Sequence, residues 1–290
     1  MNTLMQQIIF GDNLTELNKL PDAFSTLIYI DPPFGTGKTQ KRDRITVVES
    51  ENGDRVGFGG KNYETTVIEN SPSYEDSFED FPAFLMPRIE KSLHCLTKNG
   101  SIMVHLDYRE VHYIKVAMDK LLGRDHFMNE IIWAYDYGGR SKSKWSAKHD
   151  TILWYALNPK DYIFNFEAME RIPYMAPGLV GEEKAARGKT PTDVIWCTIV
   201  PTNGKEKCGY PTQKPMKLLD MLFKVHTNSG DTLLDYFAGS GTTGDVAKNN
   251  NCGYVLIDQN KEAIDVMEKR LGIKHIDNTS DTPLVSKLTG

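Results

Sequence analysis

The sequence predicts an α/β fold built on a mainly parallel sheet, and three observations carry that expectation. Short β-rich runs alternate with helical patterns along the 290 residues. The runs LIYI (27–30), IMVHL (102–106) and LLDYF (233–237) are apolar on both faces, as strands buried between two layers require. A turn of closely spaced glycines, GSGTTG at 239–244, separates one such strand from a helical pattern.

Taken in order, strands are expected at 7–10 (QIIF), 26–30 (TLIYI), 101–106 (SIMVHL), 130–134 (EIIWA), 151–156 (TILWYA), 232–237 (TLLDYF) and 254–257 (YVLI). Helical patterns lie near 78–97, 109–122, 213–227, 242–250 and 260–271. In the first, Phe81, Phe84, Leu85, Ile89, Leu93 and Leu96 recur at helical spacing. In the last, Ala263, Ile264, Met267 and Leu271 form an apolar stripe that reads as core. Residues 35–77 read as a long loop. Residues 158–212 show no period and are rich in proline and glycine, so they read as a separate loop-rich module. The expected organisation is one half-domain at 1–157, this module at 158–212, a second half-domain at 213–274 and a frayed polar tail at 275–290.

Hydrophobic residues make up 40% of the chain and charged residues 25%, as in an ordinary globular protein. No run approaches the ~18 apolar residues of a membrane helix, and the N-terminus lacks a basic-then-apolar signal, so no membrane partner and a cytoplasmic location are expected. The four cysteines Cys95, Cys197, Cys208 and Cys252 form no C-x-x-C pair, which argues against a zinc knuckle or a disulfide framework. His105, His112 and His149 lack the carboxylate–histidine spacing of a metal site, and no metal is expected.

Net charge is −5, yet positive charge is concentrated. Residues 35–44 contain Lys38, Lys41, Arg42 and Arg44 against one acid, and residues 138–149 contain Arg140, Lys142, Lys144 and Lys148 against none. The remainder of the chain carries 26 basic and 38 acidic residues. Two basic, glycine-containing windows, one holding Trp145 and flanked by Tyr135 and Tyr137, fit a surface that tracks phosphates and stacks bases. Two solvated loops are the simpler reading.

Around the glycine turn the order is strand, turn, helix, strand and acid. Gly239, Gly241 and Gly244 satisfy G-x-G-x-x-G, and Asp258 follows 19 residues after Gly239. Such a turn lets a ligand approach the backbone at a helix N-terminus, while an acid at that distance can bind ribose hydroxyls. GKT at 37–39 is not a phosphate loop of the ATPase type, because the required first glycine falls at Pro32. Only one helix and a tail follow Asp258, so upstream sequence must complete the sheet. The usual order is therefore reversed, with the cofactor half at the C-terminus.

The 26–30 strand runs directly into Asp31-Pro32-Pro33-Phe34. Two prolines fix the backbone and remove two donors, leaving carbonyls free to accept. An acid, a carbonyl and an aromatic face suit a planar ring that bears an amine, although Asp-Pro also marks ordinary turns.

Together, Asp31-Pro32-Pro33-Phe34 and Phe237-Ala238-Gly239-Ser240-Gly241-Thr242-Thr243 resemble the amino-group DNA methyltransferases, and their order resembles the permuted β class. The resemblance covers most of the chain. It implies a Rossmann-like seven-stranded methyltransferase sheet, circularly permuted, with a target-recognition insertion at 158–212. It also implies S-adenosylmethionine as cofactor, double-stranded DNA as partner and a homodimer.

Carried over by residue, the resemblance gives Asp12 and Asn13 to the adenine of the cofactor and Asp258 to its ribose. Asp235 faces the methionine ammonium, Phe237 to Thr243 wrap the cofactor, and Lys214 and Pro215 line its methionine end. Asp31 lies close to the cofactor as well as to the substrate. The target nucleotide flips out of the duplex and stacks on Phe34 while Asp31 and the Pro32 carbonyl accept from its exocyclic amine. Carbon-5 chemistry would want a cysteine after proline, whereas the residues preceding the four cysteines are His94, Trp196, Lys207 and Asn251. An aspartate-first tetrapeptide resembles the adenine-modifying members. Cytosine-N4 methylation on the same scaffold, a nicotinamide-dependent oxidoreductase, a non-catalytic DNA-binding protein and a protein-glutamine methyltransferase are the competing readings.

Overall fold

The computed structural model describes residues 4–33, 38–41, 44–50, 55–56, 62–68, 73–76, 80–201 and 204–277, and within 34–79 it is the backbone that is described. The chain divides into two compact units, residues 35–79 and the remainder.

The larger unit is organised by one nine-stranded sheet. Its strands are β1 (Gln6–Phe10), β2 (Ser25–Ile30), β3 (Leu96–Leu106), β4 (Phe127–Ala134), β5 (His149–Ala156), β6 (Val194–Trp196), β7 (Thr232–Asp235), β8 (Gly253–Asp258) and β9 (Ile276–Asp277). Across the sheet the order is β6-β4-β5-β3-β2-β7-β8-β1-β9. All pairs are parallel except those of β5, which runs antiparallel to both β3 and β4. The seven expected strands all form. The two added ones, β6 and β9, are edge segments of 3 and 2 residues, too short to show a period in sequence.

Strands from the C-terminal part, β7 and β8, lie between β1 and β2. Leu233 and Leu234 of β7 pair with Leu27 and Ile28 of β2, and β8 pairs with β1 from Gln6↔Tyr254 to Phe10↔Asp258. The first and last parts of the chain are thus paired in one sheet, which is consistent with the reversed order expected from the glycine turn. Every residue of β2 is buried. That is why its sequence is continuous rather than alternating.

The helices are α1 (Asn13–Leu17), α2 (Phe81–Ser92), α3 (Val111–Leu122), α4 (Glu182–Arg187), α5 (Met216–His226), α6 (Thr242–Asn249) and α7 (Lys261–Leu271). Helix α2 begins later than the apolar spacing alone indicates, because Asp80 caps it by accepting from the Ala83 amide at 2.9 Å. It ends sooner, passing through a 3₁₀ turn into β3 at Leu96. Helix α5 buries Leu218, Leu219, Leu222 and Phe223 and packs on α6 and β2. Helix α7 is capped by Asn260 and stopped by Gly272 in the left-handed region. No helix among the described residues is long and apolar enough to cross a membrane.

Two stretches differ from expectation. The 35–77 stretch is not a plain loop: Lys38–Lys41 pairs antiparallel with Ser73–Asp76, and Arg44–Glu49 pairs with Asn62–Ile68, which also pairs with Arg55–Val56. The register sets Ile45, Thr46 and Val47 opposite Val67, Thr66 and Thr65. Residues 158–212 belong to the larger unit, and their strand β6 extends its sheet. The tail also contributes, since Ile276 and Asp277 of β9 pair with Ile9 and Phe10.

Candidate active site at the carboxyl ends of β2 and β7

The strand order reverses between β7 and β2: the chain passes from β7 outward to β8, and from β2 outward to β3 on the other side. In open α/β sheets such a point leaves a crevice at the strands' carboxyl ends. Asp31 follows β2 and Asp235 ends β7, so adjacent strands deliver two carboxylates to that crevice. Asp258 ends β8, the next strand along.

Lys214 Nζ lies 2.8 and 2.7 Å from the two oxygens of Asp31. Both side chains are largely buried, at 10% and 17% exposure. Expected as a contact to the cofactor's methionine end, Lys214 is therefore also the charge partner of Asp31. Its backbone carbonyl accepts from Thr242 Oγ1 at 3.4 Å, and the next residue, Pro215, precedes α5. Pro32 is buried behind Asp31, and Pro33 is half-buried.

Asp235 is held by the Phe237 amide at 3.0 Å and by the Thr243 hydroxyl at 2.6 Å. Burial pushes its carboxyl up to about 7 against those two hydrogen bonds, and the charges of Asp31 and Asp258 push the same way. Asp258 accepts from the Gly239 amide and the Asn260 amide, each at 2.8 Å. Burial pushes its carboxyl above the usual carboxylate range too, opposed by these amides. Three acids thus crowd one buried region.

The turn between β7 and α6 depends on its glycines. Gly239 has φ +47° and Gly241 φ +71°, conformations that side chains rarely adopt. A Cβ on Gly239 would stand 3.2 Å from the Tyr210 ring, and one on Gly241 2.8 Å from Met267 Cγ. The Gly241 amide donates to the Ala238 carbonyl at 2.8 Å, and the Ser240 and Thr242 hydroxyls meet at 2.9 Å. Phe237 packs against Phe84, their ring centres 6.0 Å apart.

Asp12 caps α1, accepting from the Thr15 amide and hydroxyl at 3.0 and 3.1 Å. Asn13 is tied on both sides: its amide donates to the Tyr236 carbonyl at 2.8 Å, and its oxygen accepts from Arg88 at 2.7 Å. Arg88 also lies 3.6 Å from Asp12 and 4.0 Å above the Phe84 ring. Arg88 joins the N-terminal acid to the wall of the crevice.

Behind Asp31 runs a buried polar chain. The Tyr29 hydroxyl meets His105 Nδ1 at 2.7 Å, His105 Nε2 meets Asp150 at 3.1 Å, and the Tyr135 hydroxyl donates to the other Asp150 oxygen at 3.0 Å. Burial alone would raise the Asp150 carboxyl. The His105 hydrogen bond and charge, the charge of Lys214 and the Tyr135 hydroxyl outweigh it, and the net shift is downward. Burial drives the Tyr29 hydroxyl well up, helped by Asp31, Asp235 and Asp150. His105 is thus a satisfied core histidine. The network it joins is visible only once β2, β3, β5 and β4 are neighbours.

Of the basic residues, Arg140 pairs with Asp136 at 2.7 Å. Lys148 donates to the carbonyls of Tyr137 and, at 3.1 Å, of Gly139, closing its own loop. Lys142 and Lys144 are exposed. Phe34 and Arg42, and the side chains of Lys38, Lys41 and Arg44, lie outside the described residues.

An open sheet with acids and a glycine turn gathered where its strand order reverses defines a cofactor-binding α/β enzyme. Residues 26–269 match the model of the N6/N4 DNA methylases, and the chain belongs to that family. It is 29% identical over 279 residues to the DNA adenine methyltransferase YhdJ of Escherichia coli K12, covering 92% of this chain and 82% of that one. The fold is similar to the M1.HpyAVI–SAM complex, with TM-score 0.58 and 21% identity over 93% of this chain and 100% of that one. It is also similar to the PvuII cytosine-N4-specific DNA methyltransferase, with TM-score 0.64 and 15% identity over 99% and 92% of the two chains.

Proposed function

We propose that this DNA methylase transfers a methyl group from S-adenosylmethionine to the exocyclic amine of an adenine flipped out of double-stranded DNA. The observation that carries this reading is the convergence of Asp31 and Asp235 on one crevice, from strands paired between the first and last parts of the chain. A cationic ligand fits that crevice, because Asp31, Asp235 and Asp258 share it and burial has pushed Asp235 up to about 7. The cofactor named in one structural relative carries an ammonium and a sulfonium.

When bound, S-adenosylmethionine supplies an electrophilic methyl group. Asp235 would hold its ammonium, Asp258 its ribose hydroxyls and Asp12 its adenine, with the Phe237 to Thr243 turn around its chain. Left-handed Gly239 and Gly241 let that turn close tightly.

Asp31 and the Pro32 carbonyl accept from the two N–H groups of the target amine. These hydrogen bonds favour the localised nitrogen lone pair and strengthen as positive charge develops there, which is when they assist turnover. Lys214 fixes both oxygens of Asp31 in orientation. The proton lost from the methylated nitrogen passes first to the Asp31 carboxylate.

Adenine is favoured over cytosine by the aspartate at position 31 and by the adenine-methylating relative, although a cytosine-N4 enzyme shares the fold. Residues 158–212 read the target sequence in this proposal, and the basic windows contact phosphates. A homodimer in the cytoplasm completes it, supported by family resemblance, and sedimentation velocity tests the assembly.

The deciding experiment is mass analysis of nucleosides from DNA of methylation-deficient cells expressing the chain, beside an Asp31→Ala control. N6-methyladenine is expected with the wild type and none with the variant, while calorimetry finds cofactor binding retained. Finding N4-methylcytosine instead would make cytosine the substrate, and turnover by Asp31→Ala would remove Asp31 from its role.

A further inference from the structure

Trp145 is 99% exposed. A tryptophan carries one of the largest apolar surfaces of any side chain, and left in water it contributes nothing to folding. The loop that holds it is nonetheless constructed. The Ser141 amide donates to Ser146 Oγ at 2.7 Å, and the amides of Ser143 and Lys144 donate to Ser141 Oγ, both at 3.2 Å. Lys148 closes the base of the loop on two carbonyls, and the Tyr135 amide donates to the Lys148 carbonyl at 3.0 Å. Hydrogen bonds thus organise a loop whose largest side chain, Trp145, is left in solvent.

The loop's position gives that side chain a target. It joins β4 to β5, and β4 runs in the same direction as β2 and β3, since β5 is antiparallel to both β4 and β3. The loop therefore leaves the sheet at the same edge as Asp31. Three strand spacings separate β4 from β2, about 14 Å at ~4.8 Å each. The root of the loop is also tied to the strand of Asp31, because Tyr135 bonds Asp150, Asp150 meets His105, and His105 meets Tyr29, two residues before Asp31. Lys142 and Lys144 flank the indole with positive charge. The surroundings therefore suit a polyanion that presents flat rings.

We propose that Trp145 is a wedge that enters the DNA duplex at the target base pair and occupies the space vacated by the flipped base. The proposal rests on the base-flipping reading above. Extruding a base costs a few kcal/mol in lost stacking and pairing, and a ring inserted into the gap restores stacking to its neighbours. Lys142 and Lys144 hold the flanking phosphates. The Tyr29–His105–Asp150–Tyr135 chain keeps the wedge in register with Asp31.

The test compares the wild type with Trp145→Ala and Trp145→Phe on unmethylated genomic DNA, using labelled S-adenosylmethionine. Trp145→Ala is expected to lose at least tenfold in kcat/KM and Trp145→Phe about threefold or less. Cofactor affinity and melting temperature should stay unchanged, since the side chain packs against nothing. Adding the same DNA should quench tryptophan emission more in the wild type than in Trp145→Ala. Activity of Trp145→Ala within twofold of the wild type, or equal quenching in both, would overturn the wedge. Failure of the wild type itself to methylate DNA would instead overturn the underlying reading.

Discussion

Lys214 grips both carboxylate oxygens of Asp31 at 2.8 and 2.7 Å, although 183 residues separate the two positions. The pair fastens the end of β2 to the entry of α5, so Asp31 is braced by a residue from a distant part of the chain. Replacing Lys214 by Met keeps the stem and deletes the charge, leaving Asp31 largely buried without its partner. A loss of about 3 kcal/mol in unfolding free energy is expected. Methyl transfer should fall at least a hundredfold. Urea melts and a methyl-incorporation assay check the two effects, and an unchanged urea midpoint would show that the pair contributes little.

Asp235 should make stability depend on pH and, under the proposed function, cofactor binding as well. Its folded-state value of about 7 lies above its ordinary 3.8, so between those values the folded chain holds a proton that the unfolded chain has released. Stability from this group is present at low pH and is lost as pH rises through about 7. Asp235→Asn should shrink the difference in melting temperature between pH 5 and pH 8. In the wild type, S-adenosylmethionine should bind more tightly at pH 7.5 than at pH 6, because a cationic ligand prefers the ionised carboxylate. Calorimetry in two buffers of different ionisation enthalpy would register the proton released at pH 6.

Gly241 tests the turn. Alanine there must adopt φ +71° and bring its Cβ to 2.8 Å from Met267 Cγ. The left-handed conformation alone costs about 1–2 kcal/mol. Gly241→Ala should lower the denaturation midpoint accordingly and weaken cofactor binding. Gly272→Ala, also left-handed but with open space around it, should lower the midpoint and leave cofactor affinity alone.

Lys142 and Lys144 should act through phosphates. Changing both to Ala is expected to reduce the slope of log affinity against log salt by about two, close to one unit per lost contact. Cofactor binding should not move. Lys148 is a poorer probe because its ammonium closes the loop, and Lys148→Ala should disturb Trp145 as well. Filter binding across a range of salt concentrations separates these outcomes.

The strands that organise this site are legible in the sequence as short, mostly apolar runs: LIYI, IMVHL, YVLI and the paired leucines of LLDYF. What the sequence hides is whatever depends on strand order. Tyr29, His105, Asp150 and Tyr135 stand in four separate strands or at their ends, and no spacing between them announces a chain of hydrogen bonds. The sole hint is polarity out of place, a histidine inside IMVHL and a tyrosine inside LIYI. Lys214 likewise reads as a cofactor contact until α5 is seen to start beside Asp31. The ribbons within 38–76 were obscured for another reason, since polar and charged residues interrupt their β-branched runs.

The placement of β7 between β8 and β2 also dictates how a growing polypeptide must assemble. Leu27 and Ile28 find their partners only after Leu233 and Leu234 have been synthesised, so a nascent chain carries β1 and β2 with their inner flanks bare for most of translation. Unpaired apolar strands of this kind recruit one another. Ribosome-released fragments ending before residue 230 should accordingly depend on chaperones and precipitate in their absence, while the full polypeptide closes its own seam.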